Sequence, residues 1–308
     1  MTTPDLPTLL ASGEQAAFHG KPASAVAALE QAVELARSRG LVAETAAAAW
    51  LLGVALGASG RYGGALRVLS PLVDAGSAPG AAAERRLFGA LSSSTIASIQ
   101  RQLGRHAIAR DADSDALALT DGTGEAAFDA LLGLASDAVG LDEGDEAAGR
   151  LAQAEQVLPG RGDEWWRQKV RLGWAHAEVA MLEGRTEDAA GHAAAAVQRA
   201  EDARAPRHVS KGLLLLGLAQ VSHDSPEAAA TLRRSATFAE SLGVLPLWWP
   251  ARALLGALLA AGGESDRAES DRSLAAARSA VLAIAGDLPP GVRAEWLSRP
   301  DVAALLEG

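Results

Sequence analysis

Cysteine and asparagine are both absent from the 308 residues. The first absence excludes disulfides, thiolate metal sites and a cysteine nucleophile, and the second excludes N-linked glycosylation. Aromatic residues make up only 4% of the chain, and lysine stands only at Lys21, Lys169 and Lys211. None of these lysines follows a glycine run able to wrap a phosphate, which excludes a P-loop. Metalloprotease, nucleophile-elbow and dinucleotide-binding signatures are missing as well. The longest uncharged run, residues 45–60, is shorter than a membrane span requires. The first residues lack the basic segment that opens a secretion signal, so a cytoplasmic chain without a membrane partner is expected.

What is present is alanine and leucine in abundance, within a hydrophobic content of 49%. With few β-branched clusters, that composition argues for helix throughout. The net charge of −10 is unevenly placed: residues 1–160 hold 11 basic and 19 acidic side chains, the rest 17 and 19. Residues 111–146 contain 11 acids and no Lys or Arg. Exposed charge is the default, so this run reads as a solvated helix face with its loops. The alternative is a surface for a basic partner. A nucleic-acid partner is not expected, because phosphate contacts need clustered positive charge.

The chain also repeats itself. Gly13, Gly53, Gly217 and Gly256 are each followed seven residues on by Gly20, Gly60, Asp224 and Gly263, and five residues later by Ala25, Ala65, Ala229 and Ala268. Small residues at 13, 53, 97, 133, 177, 217 and 256 recur at spacings of 36 to 44 residues. Recurrence of this kind marks stacked helical hairpins. The spans 7–37, 44–74, 84–119, 125–157, 166–203, 209–240 and 249–285 are the seven hairpins expected. In each, the small residue lets helix A approach helix B, the turn residue adopts a left-handed C-cap, and the alanine seats helix B. Pro22 is placed to open the first helix B.

Leu52-Gly53…Gly60-Arg-Tyr-Gly-Gly-Ala65 and Leu216-Gly217…Asp224-Ser-Pro-Glu-Ala-Ala229 resemble the tetratricopeptide repeat over nearly the whole chain. The spacing near 40 exceeds the usual 34 and is similar to the long repeats of bacterial ATPase-type transcription activators and peptide-pheromone receptors. The aromatic usual on helix A after Leu-Gly is replaced here by Ala16 or Leu56. The resemblance implies an all-α, right-handed superhelix of about seven hairpins over residues 1–286. A C-terminal capping segment would follow at 287–308, with Trp296 and Leu297 covering the last hairpin.

No constellation supports acid–base or nucleophilic catalysis, so no catalytic residue, cofactor or metal is expected. Arg161-Gly162-Asp163 reads as an inter-helix loop. His176 and His192 lie eight residues either side of Gly184, so a hairpin brings them face to face, more readily as packing than as metal ligands. Counted from the small residues, Arg171 and Lys211 share one helix-A position in consecutive hairpins, and Trp174 and Leu214 lie one turn further along. Glu178 and Trp50 complete the candidate groove. In tetratricopeptide proteins that face is concave. The resemblance therefore implies a protein or peptide partner, with an anionic group or C-terminal carboxylate held by the basic residues. Without asparagine, the family's usual carboxylate clamp cannot be reproduced. The Trp165-Trp166 and Trp248-Trp249 pairs read as packing between hairpins. A binding scaffold is the first expectation, and a ligand- or peptide-sensing regulator linked to transcriptional control the second.

Overall fold

A computed structural model of the chain describes residues 5–158 and 160–308. The described residues contain helices and turns and no strand. They fall into two compact units, one ending at Gly160 and the other beginning at Arg161.

The first unit holds α1 (Leu6–His19), α2 (Pro22–Ser38), α3 (Val42–Ala58), α4 (Tyr62–Ser77), α5 (Ala83–Gln102), α6 (His106–Ala118), α7 (Gly124–Gly140) and α8 (Gly144–Val157). The second holds α9 (Trp166–Leu182), α10 (Thr186–Asp202), α11 (Pro206–Ser222), α12 (Ala228–Leu242), α13 (Leu245–Leu259), α14 (Glu264–Asp287), α15 (Pro290–Leu297) and α16 (Pro300–Glu307). Within each unit, helices pack on their sequence neighbours, giving the seven expected hairpins from α1 to α14. Within each unit the odd-numbered helices also touch from one hairpin to the next, α1 on α3 on α5 on α7 and α9 on α11 on α13. The B helices have no comparable mutual contact among the described residues, so the A helices lie on the inside of each unit's bend.

The physical cause is the small residue on helix A. A Cβ added at Gly13, Gly53, Gly217 or Gly256 would lie between 2.5 and 2.8 Å from Cγ of Leu29, Leu69, Leu232 or Leu274 on the paired helix. A leucine from helix B therefore lies directly on the helix-A backbone, and three of the four are fully buried. Ala97 and Ala177 hold the equivalent place in their hairpins and are also fully buried.

Local signals act as expected at several termini. Asp5 caps α1 by accepting from the Thr8 N–H at 3.0 Å, and Pro22 opens α2. Gly60, Gly104 and Gly184 take left-handed backbone at φ 81, 77 and 74°. Two of the expected glycines do not. Gly20 sits at φ −128° and Gly263 at φ −68°, neither in the left-handed region. Asp142 and Asp224 take the left-handed place in their turns, at φ 63 and 55°. The alanine rule also fails at the end of the chain. Ala25 and Ala65 are buried, Ala229 is half-buried and Ala268 is exposed. In the last hairpin Ser270 fills the seam instead, donating to the Gly256 carbonyl at 2.7 Å.

The C-terminal capping segment forms two short helices, α15 and α16. Trp296 on α15 is 1% exposed and meets Trp249 edge-on at 6.4 Å, while Leu297 is half-buried. Arg278 on α14 donates to the Leu305 carbonyl of α16 at 2.6 Å. No helix among the described residues is long and apolar enough to cross a membrane.

The acidic run 111–146 departs from a solvated face. Asp113, Asp129 and Asp137 lie in the core of the third and fourth hairpins, at 0, 5 and 0% exposure. Arg101 on α5 donates to Asp113 of α6 at 2.5 Å and to Asp137 of α7 at 2.9 Å. The remainder of the run is largely surface, including Asp142, Glu143, Asp145 and Glu146 around a shallow depression beside Arg110. Helical periodicity explains the division: Asp113, on the inward face of α6, shares an uninterrupted acidic run with outward Asp111 and Asp115.

Candidate functional site: the inner helix faces

Arg167, Arg171, Trp174 and Glu178 are spaced four, three and four residues apart, which puts them on one stripe of α9. Arg207, Lys211 and Leu214 form the matching stripe on α11, one repeat later. The two helices touch on the inside of the second unit.

Lys211 leans toward the C-terminal end of the α9 stripe. Its ammonium lies 3.5 Å from Glu178 and 4.9 Å from the centre of the Trp174 ring. His208 stacks on Trp174 with ring centres 5.5 Å apart at 17° and meets Trp166 edge-on at 5.0 Å. Trp174 is thus an amphipathic wall, 9% exposed, with Val170, Val197, Val209 and Leu213 in the same apolar cluster. Its indole N–H is buried and has no hydrogen-bond partner among the described residues. Leu214 turns away from Trp174 and packs on the following cluster of Leu232, Leu255 and Leu259.

At the other end of the stripe, positive charge accumulates. Burial, and then the like charges of Arg167 and Arg171, pull the Arg207 guanidinium down to about 10. A cation in that setting is stabilised by any anion that comes within reach. Glu178 thus pairs with Lys211 at one end of the stripe, and three guanidinium groups lie near one another at the other.

Trp50 belongs to the first unit. It stands on α3 between Phe18 of α1 and Phe88 of α5, with ring centres 6.4 Å away on each side. Its indole N–H donates to the Thr95 hydroxyl at 3.2 Å. Three consecutive A helices thus share one aromatic ladder.

The histidine pair is brought together as the hairpin geometry requires. The rings of His176 and His192 stack at 4.9 Å and 21°. Burial and the neighbouring His176 both lower the His192 pKa. Among the described residues no group of three or more metal-ligating side chains converges. Arg161-Gly162-Asp163 leads into a short 3-10 turn at Asp163–Trp165, and the Arg161 guanidinium lies 4.6 Å from the Trp165 ring centre. Trp165 is 7% exposed, and the Trp248 ring lies 5.9 Å from the Arg252 guanidinium one turn along the same helix.

Arg204, Arg207, His208 and Lys211 form the basic stretch that opens the α11 hairpin, and the expected groove takes only Lys211 of them. The register that aligned Arg171 with Lys211 also aligns Arg167 with Arg207, so the guanidinium cluster was available from the same count. His208 had no such signal, because only the tertiary structure places its ring between two tryptophans.

No protein-family model matches the chain. No curated protein matches it either. Among solved structures, a Rap protein complexed with competence and sporulation factor superposes at a TM-score of 0.65 with 12% identity, over 97% of this chain and 79% of that one. The apo form of RapI aligns at a TM-score of 0.47 with 9% identity, over 98% of this chain and 84% of that one. The first likeness shows that the fold is the tetratricopeptide-like stack of helical hairpins.

Proposed function

We propose that the chain is a non-enzymatic scaffold that binds a peptide or an extended segment of a protein along the inner faces of its A helices. The carrying observation is the α9–α11 stripe, where guanidinium groups gather at one end of a wall formed by Trp174 and His208. Arg171, with Arg167 and Arg207, receives an anionic group of the partner, either an acidic side chain or a C-terminal carboxylate. Planar guanidinium groups suit that task because they offer paired N–H donors to a carboxylate. Lys211 and Glu178 align the segment next to Trp174, and in the first unit the Trp50 ladder offers apolar contact. The fold supports the reading, since a protein of this fold was solved in complex with a factor. That complex also favours a second reading, a sensor whose ligand repacks the hairpins and thereby signals. Repeats that touch only their neighbours deform at little cost.

The test is binding of a peptide array, acidic and neutral, each with a free or amidated C-terminus, measured by fluorescence anisotropy. Acidic or free-carboxylate peptides are expected to bind, and Arg171→Glu to weaken them at least about tenfold, the effect of losing one charged hydrogen bond. Wild type and Arg171→Glu binding the same peptides equally would refute the site. Small-angle scattering with a bound peptide separates the two readings, because only the sensor changes its radius of gyration.

A further inference from the structure

Counting from the small residue of each hairpin exposes an anomaly in the third. Sixteen residues past Gly13 and Gly53 stand Leu29 and Leu69, the buried leucines that lie on the helix-A backbone. Sixteen residues past Ala97 stands Asp113, equally buried. A carboxylate occupies a seam position that two other hairpins give to leucine. Removing a carboxylate from water is costly unless it is paired, so the surroundings must compensate.

Arg101 provides the pairing, donating to Asp113, to Asp137 and, at 3.3 Å, to the Gly133 carbonyl. Gly133 also makes the space, because a Cβ there would collide with the Asp113 carboxylate. Two carboxylates and one guanidinium leave one surplus negative charge in a site where both carboxylates are fully buried. Asp113 Oδ1 and Asp137 Oδ2 are buried without a well-formed hydrogen bond among the described residues, and the nearby Ser94 hydroxyl favours ionised Asp113 only as the smallest of the influences on it. One proton held between the two carboxyls cancels the charge and gives both oxygens a bond. Burial pushes Asp113 up to about 7, against the pull of Arg101 and with the push of Asp137. Burial raises Asp137 as well. The three residues come from α5, α6 and α7, so the proton sits where the third and fourth hairpins join.

The other charged and titratable groups around this seam are few. Arg105, the residue before α6, donates to Gln100 of α5 at 3.1 Å. On α6, His106 lies against Gly140, and Arg110 is paired with Glu143 at 2.7 Å. Asp129 lies in the core of the same two hairpins, while Asp111 and Asp115 face outward.

We propose that Arg101, Asp113 and Asp137 form a proton-operated joint between the third and fourth hairpins, closed while the carboxyls share a proton and loosened when it is released to solvent. The sign follows from linkage. The folded chain holds a proton that the unfolded chain gives up near pH 4, so stability is greatest in acid and declines until the folded group has itself ionised. All three residues lie in the first unit, so this inference does not rest on the proposed binding site.

The test is thermal unfolding of the full chain between about pH 5 and 9, with hydrogen exchange read at residues 106–118 and 124–140. Wild type is expected to lose melting temperature as pH rises toward 8, with exchange in those two segments rising at least about tenfold beyond the intrinsic base-catalysed increase, the equivalent of one pKa unit. Asp113→Asn, which fixes the neutral state, is expected to flatten the melting profile and suppress the extra exchange. His106→Gln is expected to keep both. If Asp113→Asn does not fold, Asp113→Leu restores the side chain of the other hairpins and serves in its place. Carboxyl-carbon NMR of the wild type reads the shared proton directly. An unchanged pH slope in the Asp113 variant, a slope abolished by His106→Gln, or buried carboxyls that titrate in the ordinary range would each overturn the joint.

Discussion

Gly53 and Gly149 both lie inside helices, yet their surroundings give them opposite roles. A Cβ at Gly53 would lie 2.5 Å from Leu69 Cγ, and Leu69 is fully buried with no room to retreat. The better helix propensity of alanine, about 1 kcal/mol, is outweighed by overpacking of about 1–3 kcal/mol. Gly53→Ala is therefore expected to lower the urea midpoint, at a net cost of up to about 2 kcal/mol. Gly149 has open space around its missing Cβ, so Gly149→Ala should raise the midpoint by up to about 1 kcal/mol. Asp142 gives a third test. Its backbone is left-handed at φ 63°, a conformation glycine adopts without the Cβ penalty, so Asp142→Gly should stabilise by about 0.5–1 kcal/mol in the same assay. The spacing of Gly53 was legible in the sequence because close helix approach leaves a small residue at a fixed place. Asp142 was not, because Gly140 and Gly144 stand beside it and either could have served as the turn residue.

Elements are joined here by packing more than by charge. Arg233 of α12 and Glu269 of α14 make two parallel hydrogen bonds of 2.7 Å, but both side chains remain open to water. Arg233→Ala should cost no more than about 1 kcal/mol, measured by chemical unfolding. Trp296 is the contrast. It is 1% exposed and meets Trp249 of α13, while Arg278 of α14 bonds to α16, so both contacts hold the C-terminal helices on the last hairpin. Trp296→Ala is expected to cost about 3–5 kcal/mol and to raise hydrogen exchange in residues 290–307 before the rest of the second unit. Helix identity and hairpin pairing were readable from small-residue spacing, since each hairpin repeats the same geometric need. Element ends were less so: α11 and α13 begin at Pro206 and Leu245, earlier than the apolar pattern alone indicated. A proline in the first turn loses no helical hydrogen bond, so Pro206 and Pro246 let the helices start there.

Across the whole molecule, contacts run between neighbouring helices, so cooperativity need not extend along the chain. Six of the seven tryptophans lie in the second unit and only Trp50 in the first, whereas helices fill both. Tryptophan fluorescence and far-ultraviolet circular dichroism should therefore give different urea midpoints, and coincident curves would show one cooperative unit. The sequence alone determined the all-helical class, the seven hairpins and the alignment of Arg171 with Lys211, because these follow from periodicity and the size of single residues. Tertiary structure decided which aligned residues meet. Lys211 turned toward Glu178 and Trp174, Leu214 joined the next cluster, and three acids of a charged run entered the core. A repeat pattern specifies the face a residue occupies, but burial and partners depend on side chains contributed by other helices. The absence of cysteine and of asparagine excluded several chemistries, and only packing showed where the charges were placed.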